Sequence, residues 1–262
     1  MELQGRYEEI RKNGLGLIAI SYDPPNTLEA FAKARGITFP LLSDPDSAII
    51  RRYGLLNEAA DPSSRSYGIP HPGTFVVDRN GMVTARFFED AYQERYTAAA
   101  ILAAQGHYAG APTVTARTSH LTLAASTSET SVAPGQRIAL IVEIAPVRGM
   151  HLYAPGKHRY QVVRLVIDPQ PWMRLYETRY PSPEIYHFKP LDERVEVYTK
   201  PFRLVRDVTI LASRDAQKVL AAMATVTLTG ALEYQACDDR LCYNPARVPV
   251  SFTLQMRRLE RN

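Results

Sequence analysis

The chain has 262 residues, 45% hydrophobic and 22% charged, which is long enough for two domains with cores of their own. Its formal charge of +4 is dispersed, without a basic stripe or aromatic–basic interleaving, so nucleic acid is not an expected partner. No apolar run approaches the ~18 residues of a membrane span. The two cysteines fit either redox compartment and fall short of a structural zinc set, and the six histidines show no ligand spacing. No phosphate-cradling glycine loop is present, so no cofactor is expected and no metal site is predicted.

Residues 2–13 read as a helix with Leu3, Tyr7 and Ile10 on one face and Gly14 as its stop. The run 15–22 (LGLIAISY) fits a buried strand. After the Asp23-Pro24-Pro25-Asn26 turn, Asn26 or Thr27 can cap a helix over 28–35 that ends at Gly36. Residues 37–42 are extended, and Ser43-Asp44-Pro45 opens a helix through Tyr53. A polar loop at 57–66 precedes a hairpin, with strands 74–78 and 82–88 about Arg79-Asn80-Gly81. A closing helix is expected over 93–104.

The small-residue stretch 106–112 (GHYAGAP) marks a linker between a domain at 1–105 and a second at 113–258. Strand-like runs then recur at 121–125, 137–144, 161–167, 173–178, 194–198, 202–211, 224–236 and 248–255. Residues 214–221 could form a short helical turn. This spacing predicts an all-β two-sheet sandwich.

The chemistry concentrates at 225–254. An alternating run (Val226, Leu228, Leu232, Tyr234, Ala236) leads to Cys237, and another (Val248, Val250, Phe252, Leu254) follows Cys242. Asp238, Asp239, Arg240 and Leu241 separate the cysteines, a connection of hairpin length. Opposed residues of an antiparallel pair lie about 4.5–5.5 Å apart, within disulfide reach. A loop so short stabilises by only about 2 kcal/mol. A reversible dithiol is therefore favoured over a structural clip, which stays open as an alternative. Asp238 and Asp239 would raise a thiol pKa, and Arg240 would lower it.

The segments Tyr234-Gln235-Ala236-Cys237, Cys242-Tyr243-Asn244-Pro245 and Val248-Pro249-Val250 resemble the active-site hairpin of the N-terminal domain of DsbD, a thiol:disulfide interchange protein. The cysteine spacing is one residue shorter than that family's expected spacing. The resemblance, over roughly 113–256, implies an immunoglobulin-like sandwich, thiol:disulfide exchange through Cys237 and Cys242, a thioredoxin-like redox partner and a periplasmic or otherwise exported location. Tyr234 belongs to the motif and is placed by the same resemblance with the pocket residues. By the same resemblance, His151 tunes the thiols, Tyr153 lines their pocket, and Phe188, in a loop over 186–194 (YHFKPLDER), caps the pair.

The N-terminal wording, GLGLIAISYD, FAKARGITFPLLSDPD and YGIPHPGTFVVDRNGMV, resembles the AhpC/TSA (redoxin) family over roughly 1–105. That implies an α/β thioredoxin-like domain, with Pro72 as a candidate cis-proline. Residues 1–236 contain no cysteine, and the sequence reads as starting inside the family's first helix, after its reactive cysteine and a central strand. The sheet of this domain is therefore expected to be gapped, with residues 18–20 not paired to 75–77. Two other functions stay open: an AhpC/TSA-type peroxidase whose catalytic cysteine lies outside this chain, and a non-enzymatic interaction module with a static disulfide.

Overall fold

The computed structural model describes residues 2–57, 61, 63–64, 67, 69–88, 94–107, 112–188 and 192–257. The chain divides into two compact units, Met1–Leu102 and Ala103–Asn262, just ahead of the expected linker. Residues 108–111 of that linker lie outside the described residues.

The first unit is α/β. It contains α1 (Glu2–Gly5), α2 (Tyr7–Lys12), β1 (Ala19–Ser21), α3 (Pro25–Arg35), β2 (Leu41–Ser43), α4 (Ala48–Arg52), β3 (Gly73–Val77), β4 (Val83–Phe88), β5 (Arg95–Tyr96) and α5 (Ala98–Ala104), which runs past the unit's end. Helix α3 starts earlier than expected. Pro25 occupies its first turn, where a missing N–H costs nothing, so Asn26 and Thr27 lie inside the helix rather than capping it. Gly36, at φ +62°, ends it in the left-handed conformation.

β1 pairs in parallel with β2, aligning Ile20 with Leu42. β3 pairs antiparallel with β4, aligning Phe75 with Arg86. Among the described residues these remain two separate two-stranded sheets, as the expected gap requires. The cis-proline expectation fails. No cis peptide bond occurs among the described residues, and Pro70 and Pro72 are both trans. The His71 amide donates to the Leu55 carbonyl at 2.7 Å, and Pro70 bridges Leu56, so extended trans backbone carries the chain into β3.

The second unit is almost wholly β: β6 (Val114–Arg117), β7 (Leu121–Thr127), β8 (Ser131–Val132), β9 (Gln136–Pro146), β10 (His151–Tyr153), β11 (Arg164–Ile167), β12 (Met173–Arg179), β13 (Glu184–Phe188), β14 (Glu193–Tyr198), β15 (Phe202–Ile210), α6 (Arg214–Leu220), β16 (Thr225–Tyr234), β17 (Ala236–Cys237) and β18 (Ala246–Met256). One main sheet runs β12-β15-β9-β7-β6, and the other runs β11-β16-β18-β8. They enclose a core of Leu121, Leu140, Val142, Leu165, Leu204, Leu228 and Phe252, all within 2% exposure. Each such side chain contributes about 1.5–3 kcal/mol by leaving water. This is the two-sheet sandwich expected from the strand spacing, with the immunoglobulin-like character that the resemblance implies.

Asp207 on β15 is fully buried and joins its neighbours on both sides. Arg179 on β12 donates to both its carboxylate oxygens at 2.7 Å, and Arg137 on β9 lies 3.5 Å away.

A third sheet, β13-β14-β10-β17, was not foreseen. Residues 186–188 belong to the expected loop over 186–194, and no strand is expected at 151–153. Instead β10 pairs with β14 and β17, and β13 pairs with β14 along its whole length. This small sheet carries the cysteine hairpin.

Gly230 faces Ile167 across the β16/β11 ladder, and a Cβ there would run into the Val166 carbonyl. Gly230→Ala is therefore expected to lower the unfolding free energy of the second unit by about 1–3 kcal/mol. Chemical denaturation monitored by Trp172 fluorescence would show this, and an unchanged midpoint would contradict it.

Candidate functional site

The site arises where one strand changes sheets. β16 pairs with β18 in unbroken register from Thr225 opposite Gln255 to Tyr234 opposite Ala246. At Gln235 the chain leaves this ladder, and Ala236 and Cys237 pair instead with Leu152 and His151 of β10. The Gln235 side chain holds the crossover, accepting from the Gln161 amide at 3.1 Å and donating to the Tyr243 carbonyl at 3.1 Å. The Tyr243 amide donates to the Ala236 carbonyl at 2.9 Å, closing the hairpin behind the cysteines.

Cys237 and Cys242 form an antiparallel bridge and a disulfide, with Cα atoms 4.1 Å apart. Their environments differ sharply. Cys237 is 1% exposed, beneath Tyr153 and Val195, whereas Cys242 is exposed. The Tyr153 hydroxyl sits 3.0 Å from Cys237 Sγ and 3.4 Å from Cys242 Sγ. Disulfide sulfurs carry no hydrogen, so only the phenol can donate in these contacts. Burial, reinforced by the Tyr160 and Glu193 fields, pushes the Tyr153 pKa well above the usual phenol range, so it remains a proton-bearing donor.

The four-residue turn is built around Asp238. Its Oδ1 accepts from the Arg240 and Leu241 amides, both at 2.7 Å, and its Oδ2 accepts from the Tyr243 hydroxyl at 2.9 Å. These bonds favour the ionised form and hold the Asp238 carboxyl below its ordinary pKa. Asp239 accepts from the Tyr186 hydroxyl at 2.7 Å, tying β13 to the cysteine turn.

His151 is buried, with its ring 4.5 Å from that of Tyr186 and 5.5 Å from that of Tyr153. Burial lowers its pKa and outweighs the opposing pull of Asp239 and Asp238. It therefore stays neutral at neutral pH. Because its folded pKa lies below the unfolded one, protonation opposes folding as the pH falls below the ordinary imidazole range.

A small cleft beside the disulfide is lined by Tyr153, Tyr160, Tyr186, Phe188, Glu193 and Leu241, among others. Phe188 does line it, yet it ends β13, opposite Glu193, rather than standing on a loop; residues 189–191 lie outside the described residues. The ring nearest His151 belongs to Tyr186, tilted 30° to it. Tyr234 is not at the site. It is 1% exposed in the sandwich core, and its hydroxyl meets Thr118 Oγ1 at 3.1 Å and His120 Nδ1 at 3.4 Å. Tyr160 and Glu193 escaped the sequence reading. Tyr160 lies in an irregular segment and Glu193 at the start of β14, joined by a hydrogen bond across 33 residues of sequence. Among the described residues no cluster of His, Cys, Asp and Glu could hold a metal ion, and no helix is long and apolar enough to cross a membrane.

Comparison with known proteins separates the two units. Residues 120–253 match the sequence model of the family described as "Thiol:disulfide interchange protein DsbD, N-terminal", and residues 1–86 match that of the AhpC/TSA family. Alkyl hydroperoxide reductase E of Mycobacterium tuberculosis (strain ATCC 25618 / H37Rv) is 41% identical over 90 residues, covering 34% of this chain and 53% of that protein. Peroxiredoxin Q, chloroplastic, of Gentiana triflora is 36% identical over 77 residues, covering 29% of this chain and 33% of that one. The chain thus spans about half the length of these curated relatives or less. Among solved structures, the N-terminal periplasmic domain of ScsB from Proteus mirabilis overlays with a TM-score of 0.35 at 16% identity, over 56% of this chain and 52% of that one.

The lowered Asp238 pKa gives a direct test. The turn is fully braced above the ordinary aspartate pKa and loses its acceptor as the pH falls through the depressed folded value. In an NMR titration, the Arg240 and Leu241 amide resonances should move together with a midpoint below 3.8. A midpoint at or above that value would contradict the assignment.

Proposed function

The chain belongs to the family described as thiol:disulfide interchange protein DsbD, N-terminal, and on that premise we propose that Cys237 and Cys242 exchange between disulfide and dithiol with a protein partner. The observation that carries this reading is the asymmetry of the pair: one exposed cysteine, and one buried under a phenol that can donate to it.

A partner thiolate attacks Sγ of the exposed Cys242. The Cys237–Cys242 bond breaks, and Cys237 leaves with the electron pair as a thiolate, receiving the Tyr153 hydrogen bond. A second partner thiolate then attacks the mixed disulfide, forming the partner's own disulfide and releasing Cys242 as a thiolate. Two electrons pass from partner to hairpin, and two protons from solvent complete the dithiol. The reverse sequence oxidises the hairpin and reduces the partner. Burial of Cys237 prevents its direct attack by a bulky partner, so exposure sets the order of events.

The proposed partner is thioredoxin-like, because such a fold presents an accessible thiol to an exposed sulfur. The proposed setting is exported and periplasm-like, where a disulfide persists between exchange events. A peroxidase reading rests on the AhpC/TSA match of residues 1–86. Peroxide reduction needs a thiolate, and residues 1–236 hold no cysteine, so within this sequence the hairpin is the sole seat of thiol chemistry.

Single-cysteine variants test the proposal. Cys237→Ser leaves the exposed Cys242 and should trap a mixed disulfide with a thioredoxin-like protein carrying its own disulfide. Cys242→Ser leaves the buried Cys237 and should trap at least about tenfold less. Equal trapping, or none by either variant, would overturn the assigned roles.

A further inference from the structure

The cleft beside the disulfide holds about 90 Å³. A small-molecule site holds about 300–1,000 Å³, so this one has room only for the end of a side chain. Its walls are aromatic. The Tyr160 ring lies parallel to that of Tyr153, with centroids 4.1 Å apart, and Tyr186 and Phe188 line the cleft from β13. A half-buried carboxylate shares the cleft with these rings. Glu193 Oε2 accepts from the Tyr160 hydroxyl at 2.7 Å, and Oε1 receives no hydrogen bond or ion pair from the described residues. The exchange chemistry leaves this carboxylate unused.

The charge around the cleft is negative. Arg240 is the one cation among the described lining residues, and Asp238, which accepts its backbone amide in the same turn, offsets it. Glu193 and Asp239 are left without a cationic partner among the described residues; each holds only a phenol. An acidic side chain would be repelled there. An apolar one would strip water from Glu193 Oε1 and give it no partner. A lysine or arginine satisfies both surfaces, because its methylene stem packs on the rings while its cationic head meets the carboxylate.

We propose that the cleft is a specificity site, receiving a lysine or arginine that lies one or two residues from the partner's attacking cysteine. Two phenols in series separate the carboxylate from the exposed sulfur. The Tyr153 hydroxyl is 3.4 Å from Cys242 Sγ, its ring stacks on Tyr160, and Tyr160 holds Glu193. Each residue advances an extended chain by at most about 3.3–3.6 Å, so a thiolate at Cys242 and a long basic side chain at Glu193 can come from neighbouring positions. The basic residue holds the attacking thiolate in place and adds no step to the exchange. The inference rests on the proposed exchange reaction and names the partner's chemistry there, a cation beside its reactive cysteine.

Capped dipeptides test this as reductants of the disulfide in the full-length protein. Each joins cysteine to lysine, acetyllysine or norleucine, in both residue orders. Every rate constant is divided by that of the same peptide with hydroxyethyl disulfide, which removes differences in thiol reactivity. In the better order, the lysine peptide should react about two- to fivefold faster than the acetyllysine and norleucine peptides. Glu193→Gln, whose amide carbonyl still accepts from Tyr160, should abolish that advantage. Asp192→Asn, at the neighbouring exposed carboxylate paired with His187, should preserve it. Equal wild-type rates for the lysine and acetyllysine peptides would overturn the proposal without recourse to any variant. So would an advantage that survives Glu193→Gln, or one that Asp192→Asn removes as fully. If no peptide reduces the pair, the exchange reading falls too. If all reduce it at equal normalised rates, only this inference falls.

Discussion

The site depends on one topological event, the departure of the chain from the β16/β18 ladder at Gln235. Up to Tyr234 the strand obeys period two and buries its apolar face in the sandwich. Had it continued in register, the cysteines would have extended an ordinary hairpin. Instead Ala236 and Cys237 join β10, which seals Cys237 under Tyr153, while the return strand leaves Cys242 exposed. The disulfide thus spans the boundary between interior and solvent. A five-residue separation offers little loop-closure stabilisation, so the bridge matters more for which sulfur faces water than for what it ties together.

Around that boundary the polar groups are satisfied by one another. Asp238 braces the turn, Asp239 holds Tyr186, and Glu193 holds Tyr160. Tyr160 and Tyr186 are held protonated first by the hydrogen bonds they donate to Glu193 and Asp239, whereas Tyr153 is held so by burial. His151, buried and neutral, fills the space opposite Cys237 without adding charge. The result is a disulfide that takes its hydrogen bonds from the Tyr153 hydroxyl and is ringed by phenols tied to carboxylates.

Much of this was legible in the sequence. The alternation of Val226 and Leu228 with Val248, Val250, Phe252 and Leu254 placed both strands and their buried faces correctly. The four polar residues between the cysteines placed the turn. What could not be read was the change of sheet, because alternation alone carries a strand straight on. For that reason Tyr234, assigned to the pocket with its motif, lies in the core instead. β13 was masked by prolines and charged residues on both sides, which read as loop although the strand pairs fully with β14. In the first unit, the expected gap between the sheets and the expected cis-proline both came from resemblance; the sheets are separate among the described residues, whereas the proline gave way to a local trans path fixed by Leu55 and His71. The contact between Tyr160 and Glu193 left no sequence signal, since it depends on three-dimensional closure of the cleft.

The most direct test of the account is the reduction potential of the Cys237–Cys242 pair, measured by thiol trapping of the full chain across a glutathione series. A working exchange pair predicts a value within about −120 to −270 mV. A value below about −300 mV would mean that the bridge is static and that an asymmetric, phenol-covered disulfide does not suffice for exchange.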